Sequence, residues 1–142
     1  PDKNWSEESW LKFVSLLIDE FDPLIILCGS KNGAFLSNYK NDKNVINIIN
    51  YPQELSLDLQ LAFIKICKIS IHGKSGSINL SLQSGCPTFL MGEEIERYYS
   101  TKKENPLNTS IYFYSEYGLN PPAKLFFKKF CEYYQQLNLK TN

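Results

Sequence analysis

The chain has 142 residues, 43% of them apolar and 14% aromatic, including nine Tyr and nine Phe, with 15 basic against 15 acidic side chains. That length suits one domain with a sizeable core, and the apolar content excludes a disordered chain. The balanced charge, with Arg97 the single arginine, lacks the basic face that gripping a nucleic-acid backbone demands, so no nucleic-acid partner is expected.

Ser6 is placed to cap a first helix from about Glu7 to Glu20, with Glu7 and Glu8 at its positive end and Trp10, Phe13, Val14, Leu17 and Phe21 at helical spacing. Asp22-Pro23 ends it. Leu24 to Cys28 is a short continuous apolar run ended by Gly29, the pattern of a strand covered on both faces. Gly33 to Tyr39 reads as a short helix or an irregular crossover, and Val45 to Ile49 as a second strand broken by Pro52. Ser56 is expected to cap a helix from Leu57 to Cys67 that is too apolar to be fully exposed. Lys68 to His72 is the third strand, Ile78 to Ser84 a short helix closed by Gly85, and Thr88 to Met91 the fourth strand, ended by Gly92. Glu93 to Ser100 reads as helical and Lys102 to Asn108 as a polar loop. Ile111 to Tyr114 is a fifth strand, and Pro121-Pro122 open a last helix from Ala123 to Leu137. Its inner face is expected at Leu125, Phe126, Cys131 and Tyr134, and its wet face at Lys124, Lys128 and Lys129. The alternation predicts a single α/β domain over residues 1–142, Rossmann-like, with about five mostly parallel strands covered by helices.

No apolar run approaches the ~20 residues of a membrane helix, so no transmembrane segment is expected. Pro1 to Asn4 shows no basic stretch leading into an apolar one, as a signal peptide would. A chain opening on proline points to something removed upstream. Cys28, Cys67, Cys86 and Cys131 are far apart and form no Cys-x-x-Cys pair, so reduced thiols and a cytoplasmic location are expected. His72 is the single histidine, so no multi-histidine metal centre is possible. No metal and no cofactor are expected.

Ligands in open α/β sheets bind beyond the carboxyl ends of the strands. Three predicted strand ends carry glycine: Gly29, Gly73 and Gly92. The richest is His72-Gly73-Lys74-Ser75-Gly76-Ser77-Ile78-Asn79-Leu80, a strand running through a Gly, Ser and Lys turn into a helix. Free N–H groups at the helix start, the Ser75 and Ser77 hydroxyls, the Lys74 charge and close backbone approach at Gly76 together make a phosphate cradle. The spacing is neither Gly-x-x-x-x-Gly-Lys-Ser/Thr nor Gly-x-Gly-x-x-Gly, and a tight strand-to-helix turn would use the same residues.

The stretch Leu57 to Gly92 resembles the carboxyl-terminal half of GT-B fold glycosyltransferases, particularly the heptosyltransferase-like group. The shared pattern is a helix (Leu57 to Cys67), a strand (Lys68 to His72), Ser75-Gly76, a short helix (Ile78 to Leu82), Gly85-Cys86-Pro87 and a strand ending at Gly92. Leu24 to Gly29 and Val45 to Ile49 match the two preceding strands in order. The resemblance implies binding of a nucleotide diphosphate-sugar, with Lys74, Ser75, Gly76 and Ser77 at the diphosphate. Lys74 stands where heptosyltransferases carry Asp, and Asn79 where they carry His. The acceptor half and catalytic base of a GT-B enzyme usually lie in its other half, for which this chain has no room. It is then a fragment, the partner of a second half or subunit, or a domain without catalysis.

If the resemblance holds, Glu93 or Glu94 contacts donor sugar or ribose; otherwise they complement a helix dipole. Gly29-Ser30 forms a second donor loop or an ordinary turn. His72 is a general base or a strand-end residue bonded to backbone. The catalytic residues stay unassigned. The competing functional class is a small non-catalytic α/β interaction protein, such as a bacterial toxin inhibitor (an immunity protein).

Overall fold

A computed structural model describes residues 5–29, 36–73, 77–100 and 103–141, without the side chains of Arg97, Ser100 and Thr141. The element order is α1 (Glu7–Phe21), β1 (Ile25–Leu27), β2 (Val45–Asn47), α2 (Gln53–Ile66), β3 (Ser70–His72), α3 (Ile78–Gln83), β4 (Thr88–Met91), α4 (Arg97–Ser100), β5 (Ile111–Tyr114) and α5 (Ala123–Thr141). The α/β expectation holds, and every strand pairing is parallel. The five strands divide into two sheets: β1 beside β2, and β3-β4-β5 with β4 central. In register, Ile25 faces Val45, His72 faces Leu90 and Met91 faces Tyr114. Parallel strands under helices fit a Rossmann-like arrangement.

Strand alternation sorts side chains onto two faces of the larger sheet. Phe89 and Met91 of β4, with Tyr114 of β5, enter a cluster with Trp5, Phe13, Leu17, Phe126, Phe130 and Tyr133 beneath α1 and α5. Leu90 of β4, with Ile111 and Phe113 of β5, packs on the other face against Ile78, Leu82 and Tyr98. All four residues of β4 are buried, as a strand covered on both faces requires. Phe126 has no exposed surface, and its ring centroid lies 4.8 Å from Phe89 and 5.0 Å from both Phe13 and Trp5. The buried Trp5 indole N–H donates to the Pro121 carbonyl at 2.7 Å, joining the start of the chain to the entrance of α5.

Local signals explain most boundaries. Ser6 Oγ accepts from the Ser9 N–H, and Asp22 caps the other end of α1 at φ 45°, its N–H donating to the Ile18 carbonyl. The Asn44 amide holds that corner through Asp22 Oδ1 and the Pro23 carbonyl. Asn47 donates to the carbonyls of Leu36, Ser37 and Tyr39 and accepts from the Ile49 N–H, closing the loop that enters β2. Gly85 follows the C-cap of α3 at φ 76°, a conformation that glycine adopts without strain.

Three expectations are corrected. α2 starts at Gln53, after Pro52, so Ser56 lies buried inside the first turns instead of capping them; proline suits a helix start because its missing N–H has no intrahelical partner there. Glu93 to Ser100 is helical only from Arg97. The inner face of α5 is Phe126, Phe130 and Tyr133, while Leu125 is 37% exposed and Cys131 and Tyr134 sit at the edge of the core. As expected of so apolar a helix, α2 is not fully exposed: Ser56 and Ile64 are buried, and Leu59, Leu61 and Phe63 are half-buried. The Gly33 to Tyr39 crossover lies partly outside the described residues, and 36–38 form a turn. All four cysteines are free thiols, and burial pushes the Cys86 thiol up to about 12.

Phe126→Ala should lower unfolding stability by about 3–5 kcal/mol, since it opens a cavity under β4. Leu125→Ala, one residue away but half out of the core, should cost about 0.5 kcal/mol or less. Urea unfolding followed by tryptophan fluorescence measures both.

Candidate functional site

β3 is an edge strand of the larger sheet, and alternation places Ser70 and His72 on the face opposite Ile71. That face meets α3, which turns Ser81 toward the strand. Ser81 Oγ lies 2.7 Å from Ser70 Oγ and 3.0 Å from His72 Nε2. Ser70 Oγ also bonds His72 Nε2. On the other side of the ring, Ser77 Oγ lies 3.2 Å from His72 Nδ1. Both imidazole nitrogens are therefore engaged, and the end of β3 is tied to the start of α3. Of the two readings of His72, the strand-end residue is nearer the geometry, although its partners are serine hydroxyls and not backbone.

Burial lowers the His72 pKa from 6.5 to about 4, so the ring is neutral at pH 7. A neutral imidazole has one N–H and one lone pair, which the flanking hydroxyls complement because each can donate or accept. On α3 the side-chain oxygen of Asn79 is buried without a hydrogen-bond partner among the described residues.

Lys74, Ser75 and Gly76, the centre of the expected phosphate turn, lie outside the described residues, as does Ser30. Their flanks are described. Gly73 directly follows the β3 pairing, and the Cζ2 of Trp10 lies 3.8 Å from where a Gly73 Cβ would stand. Ser77 precedes α3 without capping it through its side chain. The Leu80 and Ser81 N–H groups already donate to the Ser77 carbonyl, which leaves those of Ile78 and Asn79 as the helix-start donors without an intrahelical acceptor.

The neighbouring strand end reaches the same edge, because β3 and β4 are paired in parallel through His72 and Leu90. Beyond it stands Gly92 at φ 115°, its N–H donating to the Tyr114 carbonyl at 3.0 Å. A Cβ there would approach Leu119 Cδ2 to 3.1 Å, so backbone conformation and space both favour glycine. Glu93 and Glu94 follow, both exposed. Burial, and then the nearby Glu94 carboxylate, raise the Tyr99 pKa. Gly29 follows β1, which belongs to the other sheet, so no strand ladder connects it to this edge.

Sequence reasoning missed Ser70 and Ser81. Their signal was present: Ser70-x-His72 alternates on a strand, and Ser77 and Ser81 are one helical turn apart. A separate groove of about 310 Å3 is lined by Tyr99, Asn105, Asn108, Thr109, Ser110, Ile111 and Lys140. Ile111 opens β5, so this groove borders the amino end of that strand, away from the edge bearing Gly73 and Gly92. Among the described residues no three His, Cys, Asp or Glu side chains gather as a metal site would need, and no helix is long and apolar enough to cross a membrane.

The His72 geometry sets a pH dependence. Between pH 6.5 and about 4 the unfolded chain takes up the proton that the native ring refuses. This group's contribution to stability is therefore complete above pH 6.5 and is lost as pH falls toward 4, with a slope limited to about 1.4 kcal/mol per pH unit. His72→Gln should flatten the profile in that window relative to the parent protein, as measured by urea unfolding at stepped pH.

No protein-family model matches the chain, and neither a curated protein nor a solved structure does.

Proposed function

We propose that this chain binds a nucleoside diphosphate-sugar across the carboxyl ends of β3 and β4, as the donor-binding part of a GT-B-like glycosyltransferase. The observation that carries the reading is the construction of that edge. Two adjacent parallel strands end at Gly73 and Gly92, and α3 begins beside them, fastened to β3 through Ser77, His72, Ser81 and Ser70.

In this reading the turn Lys74-Ser75-Gly76-Ser77 holds the diphosphate. Backbone N–H groups and hydroxyls donate to its oxygens, and Lys74 offsets its charge without an obligatory metal. Ser77 has a double task, since its hydroxyl already leans on His72. Glu93 and Glu94 are exposed at the next strand end, where carboxylates accept hydrogen bonds from sugar or ribose hydroxyls. Gly29 and Ser30 would add a further donor contact in this reading, from the end of β1 in the other sheet. Sugar transfer then needs a second half or partner subunit to supply the acceptor site and the base. Free thiols fit a reducing, cytoplasmic setting. One observation favours the second reading, a non-catalytic interaction protein: α2 leaves Leu55, Leu57 and Ile66 more than half exposed, at 56%, 51% and 77%.

Thermal unfolding against UDP, GDP, ADP and CMP, with and without attached sugars, separates the two. A nucleotide at 100 times its Kd should add about 2.7 kcal/mol, a rise of several degrees in Tm. The rise should be selective for one base and should disappear in the Lys74→Ala/Ser75→Ala variant. No shift with any nucleotide would count against donor binding and leave the interaction protein.

A further inference from the structure

α2 is apolar but poorly covered. Leu55 is 56% exposed and Ile66 77% exposed, Ala62 is exposed, and Leu59 is half-buried. At 100° per residue these four fall within an arc of about 60° on one flank of the helix. Their spacing of four, three and four residues is the a/d repeat of a two-helix seam. Ile64 and Ser56 point inward, and Leu57 and Leu61 lie on the opposite flank.

The charges beside this stripe indicate its occupant. Asp58 and Lys65, both exposed, stand seven residues apart along its solvent side, at equivalent flanking positions. Among the described residues neither has an ion-pair partner. Two copies of α2 laid antiparallel about a two-fold axis would bring Asp58 of each copy beside Lys65 of the other. The same alignment sets Leu55 against Ile66 and Leu59 against Ala62, large opposite small in the central layers. One patch thus complements itself in shape and in charge, as a two-fold interface requires. We propose that α2 is a self-association surface, and that its occupant is α2 of a second copy of this chain, antiparallel, along Leu55, Leu59, Ala62 and Ile66. The proposal does not rest on the nucleotide reading.

A seam along a helix about 21 Å long is small, so association should be reversible and visible at micromolar concentration. Sedimentation velocity of the whole chain at about 5–200 μM should show a monomer–dimer equilibrium. Leu55→Glu/Ile66→Glu should be monomeric throughout with an unchanged circular dichroism spectrum, because both positions are already exposed. Asp58→Lys alone and Lys65→Asp alone should each weaken dimerisation about tenfold at low salt. Mixing these two variants should restore it, since both 58–65 contacts of the mixed dimer then join unlike charges. A parent chain that stays monomeric would overturn the proposal, as would a dimer that survives Leu55→Glu/Ile66→Glu. A mixture no tighter than its components would overturn the antiparallel register.

Discussion

The packing of Phe126 is the contact on which the rest of the structure depends. Its ring touches Trp5 from the chain's start, Phe13 from α1, Phe89 from the central strand and Tyr114 from β5. Trp5 in turn donates its indole N–H to Pro121, one step before α5. Trp5 and α5 are thereby fixed together over one face of the β3-β4-β5 sheet. Aromatic burial on this scale is the main favourable term for a chain of this size, and edge-to-face geometry adds to it.

With that face closed by aromatic rings, the other face carries the polar chemistry. β4 and β5 offer Leu90, Ile111 and Phe113 to α3 and α4, whereas the edge strand β3 offers Ser70 and His72. An imidazole between sheet and helix must have its hydrogen bonds met, since an unmet buried polar group costs more than a typical bond contributes. Ser70, Ser77 and Ser81 meet them. The outcome is a short helix held by polar bonds to the strand beside it, at the edge where two parallel strands end. The proposed ligand would thus sit on a fixed floor, with Gly92 setting the backbone of the adjacent wall.

Elements with strong local signals were legible in the sequence. Ser6 and Asp22 bound α1, and Thr88 to Met91 and Ile111 to Tyr114 lie where their apolar runs placed them. What failed required tertiary information. The polar side of α5 was legible at Lys124, Lys128 and Lys129, but its apolar arc runs from Tyr133 round to Cys131, and which part of that arc meets the core, Phe126, Phe130 and Tyr133, depends on how the helix docks. The apolar composition of α2 excluded a fully exposed helix, but composition does not say which of its sides meets a neighbour. The division of five strands into two ladders is a long-range property that no local pattern encodes. At the site, His72 and Ser77 drew notice through the glycine turn, while Ser70 and Ser81 became visible only when strand and helix were brought together.

The proposed function makes the carboxyl edge of β3 and β4 a ligand edge. Amide NMR tests it most directly, by titrating isotopically labelled protein with UDP, GDP and ADP and mapping the resonances that move. One of these nucleotides should perturb amides from Gly73 through Asn79 and from Gly92 through Glu94, while the groove at Asn105, Thr109 and Lys140 stays still. Perturbation confined to that groove, or a spectrum unchanged by every nucleotide, would contradict it.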